Sequence, residues 1–250
     1  MATKKPAATK SRARTPKPKS KPVITLAADI GGTGTKTMLL DETGTPISER
    51  LRDETPHPAT PDAIIDIIVK QAGQHGNFDR ISVGFPGVVH DGVIFSAPNL
   101  DKSWEGFDLA SALESRLSRP ARVCNDADVQ GYGAIQGKGV ELVITLGTGL
   151  GSALYLDGKL VPNLELAHHP FHKDKTYEEC VGVKALKKSG KKKWNRDVTK
   201  AIAELRKAIN FQSLYIGGGN AKKLDGALPP DCKVVDNAAG LLGGIALWRQ

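Results

Sequence analysis

The sequence predicts an α/β protein of two duplicated lobes facing each other across a central cleft. Three observations carry this. A strand, a glycine-rich loop, a second strand and an acidic-glycine turn occur in that order over Leu26–Thr45 and again over Ile144–Lys159. Amphipathic helical stretches alternate with apolar runs short enough to be buried strands. The polar residues best suited to ligand chemistry stand where strands end, the edge at which α/β sheets bind ligands.

Order is expected to begin near Val23, where the apolar run Val23–Ala28 leads into Asp29. Gly31, Gly32, Thr33 and Gly34 form a glycine-rich turn, Thr37–Leu40 a second strand, and Asp41–Gly44 a turn into a third. A helix is predicted from Pro61 to about Gln71. Thr60 suits its N-cap, Pro61 its first position and Asp62 the positive end of its dipole. Ile64, Ile68 and Ala72 recur at the spacing of a core-facing stripe. Ile81–Phe85 reads as a buried strand, and Leu109, Leu113 and Leu117 mark a helix stopped before Pro120. Arg122–Cys124 is a short strand ending at Asn125-Asp126, where a helix starts. The pattern then repeats: strand Glu141–Leu146, glycine loop Gly147–Gly151, strand Ser152–Leu156, hairpin turn Asp157-Gly158. Later, the strand Leu214–Ile216 runs into Gly217-Gly218-Gly219.

Composition sets outer limits. With 40% hydrophobic and 25% charged residues the chain is ordinary globular protein. No apolar run approaches the ~20 residues that span a bilayer, so no membrane partner is expected. The first 22 residues lack the apolar segment of a secretory signal. Cys124, Cys180 and Cys232 are odd in number, far apart and form no CxxC pair, as reduced thiols of a cytoplasmic protein would be. The net charge of +8 is matched by eight cations within residues 1–22, a Pro-, Ala- and Ser-rich tail with no acid. Such a tail is expected to be disordered, serving either as a solvated terminus or as a contact for polyanions. The rest of the chain is near neutral, so nucleic acid is not expected as a partner.

A glycine loop after a strand lets backbone N–H groups approach phosphate oxygens without interference from a Cβ. Here two such loops carry threonine at matching places in two repeats, and a third glycine run follows another strand. Phosphate binding is the expectation, although the pattern is not the GxxxxGK[ST] of a P-loop. Asp29, between the first strand and its loop, is either a turn cap or the organiser of a cation such as Mg²⁺ held through water. Asn125-Asp126 supplies either a helix N-cap or a general base reaching a substrate hydroxyl. Glu165, His168, His169 and Glu178 form a polar cluster of the kind that grips several sugar hydroxyls. Nothing there has zinc spacing, and His169 and His172 also read as exposed loop residues.

Taken together, Asp29-Ile30-Gly31-Gly32-Thr33, Gly84-Phe85-Pro86-Gly87, Asn125-Asp126, Leu146–Gly151, Glu165–His168 and Gly217–Asn220 resemble the ROK family of sugar kinases and regulators. The resemblance spans Leu26–Trp248 and implies the actin-like/hexokinase-like (ribonuclease H-like) fold. The tail over 1–22, expected to be disordered from its composition, lies outside it; the expected lobes are an N-terminal one over 23–136 and a C-terminal one over 137–250, with a last helix near 238–248 returning to the N-terminal lobe. By it, Asp126 is the base for the sugar 6-hydroxyl, while Asn125, Glu165, His168 and Glu178 hold other hydroxyls and Gly87 and Asn99 line the pocket. Glu178 fits the family spacing to Val181-Gly182 better than Glu179. Asp29 would organise Mg²⁺ and phosphates, with Gly31, Gly32, Thr33, Thr35, Lys36, Gly147, Thr148, Gly149, Gly218 and Gly219 on the phosphate side. Two positions that are glycine in the family are Leu164 and Ala167 here.

The cysteine-rich zinc segment of many ROK members is missing, with Cys180 standing alone, so no structural zinc is expected. A zinc-free chain with His168-His169-Pro170-Phe171 at this place resembles the branch that phosphorylates glucose from inorganic polyphosphate or ATP. The basic stretch Lys184, Lys187, Lys188, Lys191, Lys192, Lys193, Arg196 and Lys200, opposed only by Asp197, is either a solvated face or a track for a long polyanion. The expectation is a cytoplasmic glucokinase; a homodimer would be in keeping with the family. The alternatives are an ATP-dependent hexokinase for another sugar, a sugar-responsive regulator, or a polyanion-binding protein without kinase activity. Regulators carry a helix-turn-helix module ahead of the kinase-like part, and residues 1–22 are too few for one.

Overall fold

The computed structural model describes residues 21–235, 241 and 243–249. Residues 1–20 of the basic tail, and residues 238–240 and 242 of the expected closing helix, lie outside these.

β1 (Thr25–Gly31) turns through the first glycine loop into β2 (Gly34–Leu40), antiparallel with Asp29 opposite Lys36. β3 (Leu51–Asp53) pairs with β2, α1 (Pro61–His75) crosses over, and β4 (Arg80–Phe85) lies parallel to β1. A hairpin of β5 (Val89–His90) and β6 (Val93–Ile94) precedes α2 (Leu109–Leu117) and β7 (Ala121–Asn125), which is parallel to β4. The resulting order is β3-β2-β1-β4-β7.

After α3 (Asp126–Tyr132), the second half repeats the plan. β8 (Val140–Leu146), β9 (Leu150–Leu156) and β10 (Lys159–Val161) form an antiparallel meander. A small hairpin, β11 (Pro170–His172) with β12 (Lys175–Thr176), leads to α4 (Tyr177–Val181) and the long α5 (Val183–Ile209). β13 (Ser213–Gly217) and β14 (Cys232–Val234) then add in parallel to β8. The order β10-β9-β8-β13-β14 matches that of the first sheet strand for strand.

Side-chain alternation along the strands divides each sheet into two faces. Leu26, Ala28 and Ile30 pack with Ile64, Ile68, Leu113 and Trp104, whereas Ala27 packs with Leu40 and Leu241 on the opposite face. In the second sheet Leu142, Ile144 and Leu146 pack with Trp194, Val198 and Ile202 of α5, while Val143 meets Tyr155 and Tyr215. α3 touches strands of both sheets and is the element the lobes share. Its Gly131 leaves no room for a Cβ because the Tyr155 ring occupies that space, and the Tyr155 hydroxyl donates to the Asp128 carbonyl. Between the lobes, the buried Glu141 carboxylate accepts the backbone N–H groups of Gln136, Gly137 and Lys138 at 2.8, 2.7 and 3.0 Å.

The closing segment is a 3-10 helix, Gly243–Trp248, lying on β1, β4 and α3. Ser82 Oγ donates to Gly244 O at 2.8 Å and accepts from Trp248 Nε1 at 2.8 Å. Arg80 and Arg122 flank the Trp248 ring at 5.0 and 4.6 Å, a cation–π arrangement.

Several boundaries differ from expectation. β1 starts at Thr25 and β2 already at Gly34, since strand pairing continues to the base of the loop. α1 runs on to His75 and ends at Gly76, whose φ of 90° suits glycine. Thr60 has an extended N-cap backbone, but its side chain makes no capping bond.

Candidate active site

Asp29 lies near the C-terminal end of β1, and Asp126 opens α3 directly after β7. The two belong to neighbouring parts of one sheet edge, and glycine at 84 keeps β4 low beneath them. A Cβ there would sit 3.4 Å from Asp126 Cα. Lys36 Nζ donates to Asp29 Oδ2 at 2.6 Å, so the cation beside Asp29 in this structure is Lys36. Asp126 is half-buried in the cleft, with Asp29 and Glu165 near it. Burial first, and the Asp29 charge second, push its carboxyl up to about 7. Asp126 Oδ1 also accepts the N–H of Ala127 at 2.8 Å.

Asn125 is the N-cap of α3: its Oδ1 accepts from Ala127 N and Asp128 N at 2.8 and 3.2 Å. Its Nδ2 donates to Gly87 O at 3.0 Å and to Glu165 Oε1 at a long 3.4 Å. The cap therefore uses the Oδ1 end of the amide, and the Nδ2 end is turned to Gly87 and Glu165. Glu165 is open to solvent, yet the cleft walls raise its pKa and His168 beside it works the other way. The turn carrying it hangs on Ser152, whose hydroxyl donates to Leu164 O and accepts from Leu166 N at 3.2 Å. Leu164 and Ala167, where the family has glycine, pack into the second core.

Glu178 N donates to Ala167 O at 2.9 Å, which ties the start of α4 to the Glu165–His168 turn. The Glu178 carboxylate occupies the space a Cβ at Gly149 would need, so it lies against the second glycine loop. Glu179 is spent on a capping box with Thr176, accepting Thr176 N at 2.8 Å. His169 and His172 point elsewhere, His169 to Pro170 O at 3.2 Å and His172 to Lys200 Nζ at 2.8 Å.

In the first glycine loop, Gly31, Gly32 and Thr33 form the turn between β1 and β2, with Asn99 3.9 Å from where a Gly32 Cβ would lie. Arg52 Nη2 donates to Thr33 O at 3.0 Å and places a cation behind this loop. Thr35 is a correction: it is fully buried, on the face of β2 shared with Thr37, whose hydroxyl bonds Gln71 of α1 at 2.8 Å. β2 alternation sends Thr35 toward α1 and Lys36 toward Asp29, so Thr35 offers the cleft no hydroxyl. The second and third glycine runs are one structure. Asn220 Nδ2 donates to Gly147 O at 2.9 Å, and Gly218, at φ 88°, is pressed against the Leu146 backbone. This paired loop reaches the residue after Asp126, Ala127, whose Cβ lies 3.0 Å from where a Gly151 Cβ would be.

Four participants were not singled out from sequence: Arg52, Ser152, Asp128 and Asn163. Asp128, within Asn125-Asp126-Ala127-Asp128, carried the only local hint. A separate groove of about 630 Å³ lies between α5 and Ala227–Pro229, away from all these residues. Among the described residues no cluster of three or more His, Cys, Asp or Glu could hold a metal, and no helix is long and apolar enough to cross a membrane.

Comparison with known proteins places this geometry. The model of the ROK family matches residues 25–168. A polyphosphate glucokinase of Mycobacterium tuberculosis is 32% identical, with 86% of this chain and 87% of the relative covered. A glucokinase of Streptomyces coelicolor is 35% identical over 55% of this chain and 45% of its own length. Among solved structures, an inorganic polyphosphate/ATP-glucomannokinase of Arthrobacter sp. strain KM superposes with a TM-score of 0.80 at 34% identity, covering 92% of this chain and 100% of the other. A ROK glucokinase of Streptomyces griseus in complex with glucose and AMPPNP has a TM-score of 0.74 at 22% identity, covering 90% and 98%, a likeness of fold.

Proposed function

The chain belongs to the ROK family, and from that premise and the cleft geometry we propose that it is a glucokinase, moving a phosphoryl group from inorganic polyphosphate or ATP to the 6-hydroxyl of glucose. The observation that carries this is one carboxylate, Asp126, enclosed between sugar-type ligands and glycine loops, with its pKa raised to about 7.

The sugar 6-hydroxyl gives its proton to Asp126 as its oxygen attacks the terminal phosphorus. The new O–P bond forms as the bond to the bridging oxygen breaks, and the donor leaves one phosphate shorter. Glu165, His168 and Glu178 hold other hydroxyls. A sugar hydroxyl would replace the long Asn125–Glu165 contact, leaving the Asn125 cap and its bond to Gly87 in place. The N–H groups of Gly31–Thr33 and Gly147–Gly149, with Gly218-Gly219 behind them and Lys36 and Arg52 nearby, stabilise the phosphates. Magnesium, when bound on the donor, would neutralise phosphate charge and orient the leaving oxygen. Asp29, paired here with Lys36, would be the carboxylate that holds it through water. Lobe closure keeps water from the donor.

Polyphosphate as donor is supported by α5. Val183 N donates to Thr148 O at 3.1 Å, so the helix starts at the second loop and its cations lead away from it. Lys184, Lys187, Lys188, Lys192 and Arg196 are exposed and have no carboxylate partner among the described residues, whereas Lys191 and Lys193 pair with Asp225 and Asp197.

The test is direct. Purified protein with glucose and Mg²⁺ receives either ATP or long-chain polyphosphate, and glucose 6-phosphate is measured by a coupled assay. Turnover with polyphosphate is expected; no product with either donor would end the proposal.

A further inference from the structure

The loop after β10 carries a residue with no place in the phosphoryl-transfer chemistry. Asn163 has a φ of 59°, in the left-handed region. Its side-chain amide lies along Val89 of the opposite lobe like a short bridge: Nδ2 donates to Val89 O at 3.0 Å and Oδ1 accepts from Val89 N at 3.2 Å. Its own backbone N–H donates to Asp128 Oδ2 at 3.3 Å.

Asp128 is fully buried on α3. Cys124 Sγ donates to its Oδ2 at 3.7 Å, while its Oδ1 has no partner. A buried carboxylate with one oxygen left unpartnered opposes folding. Its presence is better explained by geometry than by stability. What it holds is the turn that presents Glu165, two residues beyond Asn163. Besides its tie to α4, that turn is held from both lobes: Ser152 ties it to the second sheet, and Asn163 ties it to α3 and to β5 of the first lobe.

We propose that Asp128 and Asn163 are positioning residues that strap the Glu165 turn to the first lobe, so that the sugar side of the cleft is assembled only when the lobes are joined through this strap. The inference rests on the sugar-kinase reading above. Neither residue touches the reacting atoms; both act through the placement of Glu165.

Four variants of the full chain test it: Asn163→Gly, Asn163→Ala, Asp128→Ala and Asp128→Asn. Asn163→Gly is the gentlest, since glycine accepts the left-handed backbone and keeps the bond to Asp128 while losing the amide. Asp128→Asn keeps an oxygen for Asn163 N–H. Sugar KM, donor KM and calorimetric glucose Kd are measured beside thermal unfolding, with hydrogen exchange at the Val89 amide reporting the strap itself.

Asn163→Gly and Asp128→Ala are expected to raise glucose KM and Kd about tenfold or more with donor KM within about twofold, as when a ligand contact drifts by an ångström. Asp128→Asn recovers most of the loss, and Val89 loses exchange protection in Asn163→Gly. A folded Asn163→Gly with glucose KM within about twofold of wild type, or sugar and donor KM rising together, overturns the proposal. A wild type with a protected Val89 amide that neither binds nor phosphorylates glucose overturns instead the kinase reading, and with it the purpose given to the strap.

Discussion

Asp126 gathers two opposing demands on one carboxylate. A base has to be ionised to accept a proton, but its burial and the nearby Asp29 charge favour the protonated form and raise its pKa to about 7. kcat/KM for glucose should therefore rise with pH through an ionisation near 7 and level off above it, as a pH–rate profile would record. Asp126→Asn should lower kcat by about 10²–10⁴-fold, the usual worth of a general base, while calorimetric glucose affinity stays nearly the same. The same shift makes a stability prediction of definite sign. The folded pKa lies above the unfolded value of 3.8, so the native state holds the extra proton between them and stability falls as pH rises from about 4 to 7. Asp126→Asn removes that loss. Urea denaturation should find the variant more stable by about 1–2 kcal/mol at pH 8, a figure discounted for solvent near the site, with the gain fading toward pH 4.

Helix α5 is the element on which the choice of donor turns. It is broken at Gly190, where φ is 77° and ψ 161°, and its buried stripe of Leu186, Trp194, Val198 and Ile202 leaves the lysines outside. Reversing two charges, Lys187→Glu with Lys188→Glu, should raise the KM for long-chain polyphosphate by about tenfold and flatten its dependence on salt, leaving the KM for ATP within about twofold. Steady-state kinetics at two ionic strengths would show it. A second element, the paired loop at Gly147 and Gly218, depends on close backbone approach. Gly218→Ala would force a Cβ into Leu146 at a positive φ and should cost about 2–4 kcal/mol in denaturant unfolding. What was legible in the sequence follows from how local each signal is. The strands, the glycine loops and the start of α1 at Pro61 are written in adjacent residues, and so were readable. Thr35 was misplaced because its direction depends on β2 alternation against α1, a partner 36 residues away. Asn163 was invisible because nothing beside it in the chain announces a left-handed asparagine gripping Val89. The roles of Asn125 and Glu179 as caps were half readable, since the residue types suit capping but the choice between cap and ligand is made by the fold.

At the scale of the whole molecule, matching strand orders in the two sheets put corresponding faces of both lobes against α3. Neither sheet has a complete inner covering without it: Tyr155 of the second lobe fills the space beside Gly131, and Trp248 closes the first lobe from the far end of the chain. The connection between the lobes is also held, since Glu141 keeps three of its N–H groups in a carboxylate grip. A shared helix means that the halves are not separable parts. A gene cut at Lys138 would yield two polypeptides, each with apolar strand faces exposed and prone to aggregate alone. Produced together, the fragments should find each other and recover glucose phosphorylation, because the wedge on the first would again have the second sheet to fill. Co-expression followed by size-exclusion chromatography would reveal a one-to-one heterodimer, making the duplicated molecule a natural split reporter whose signal depends on the meeting of its halves.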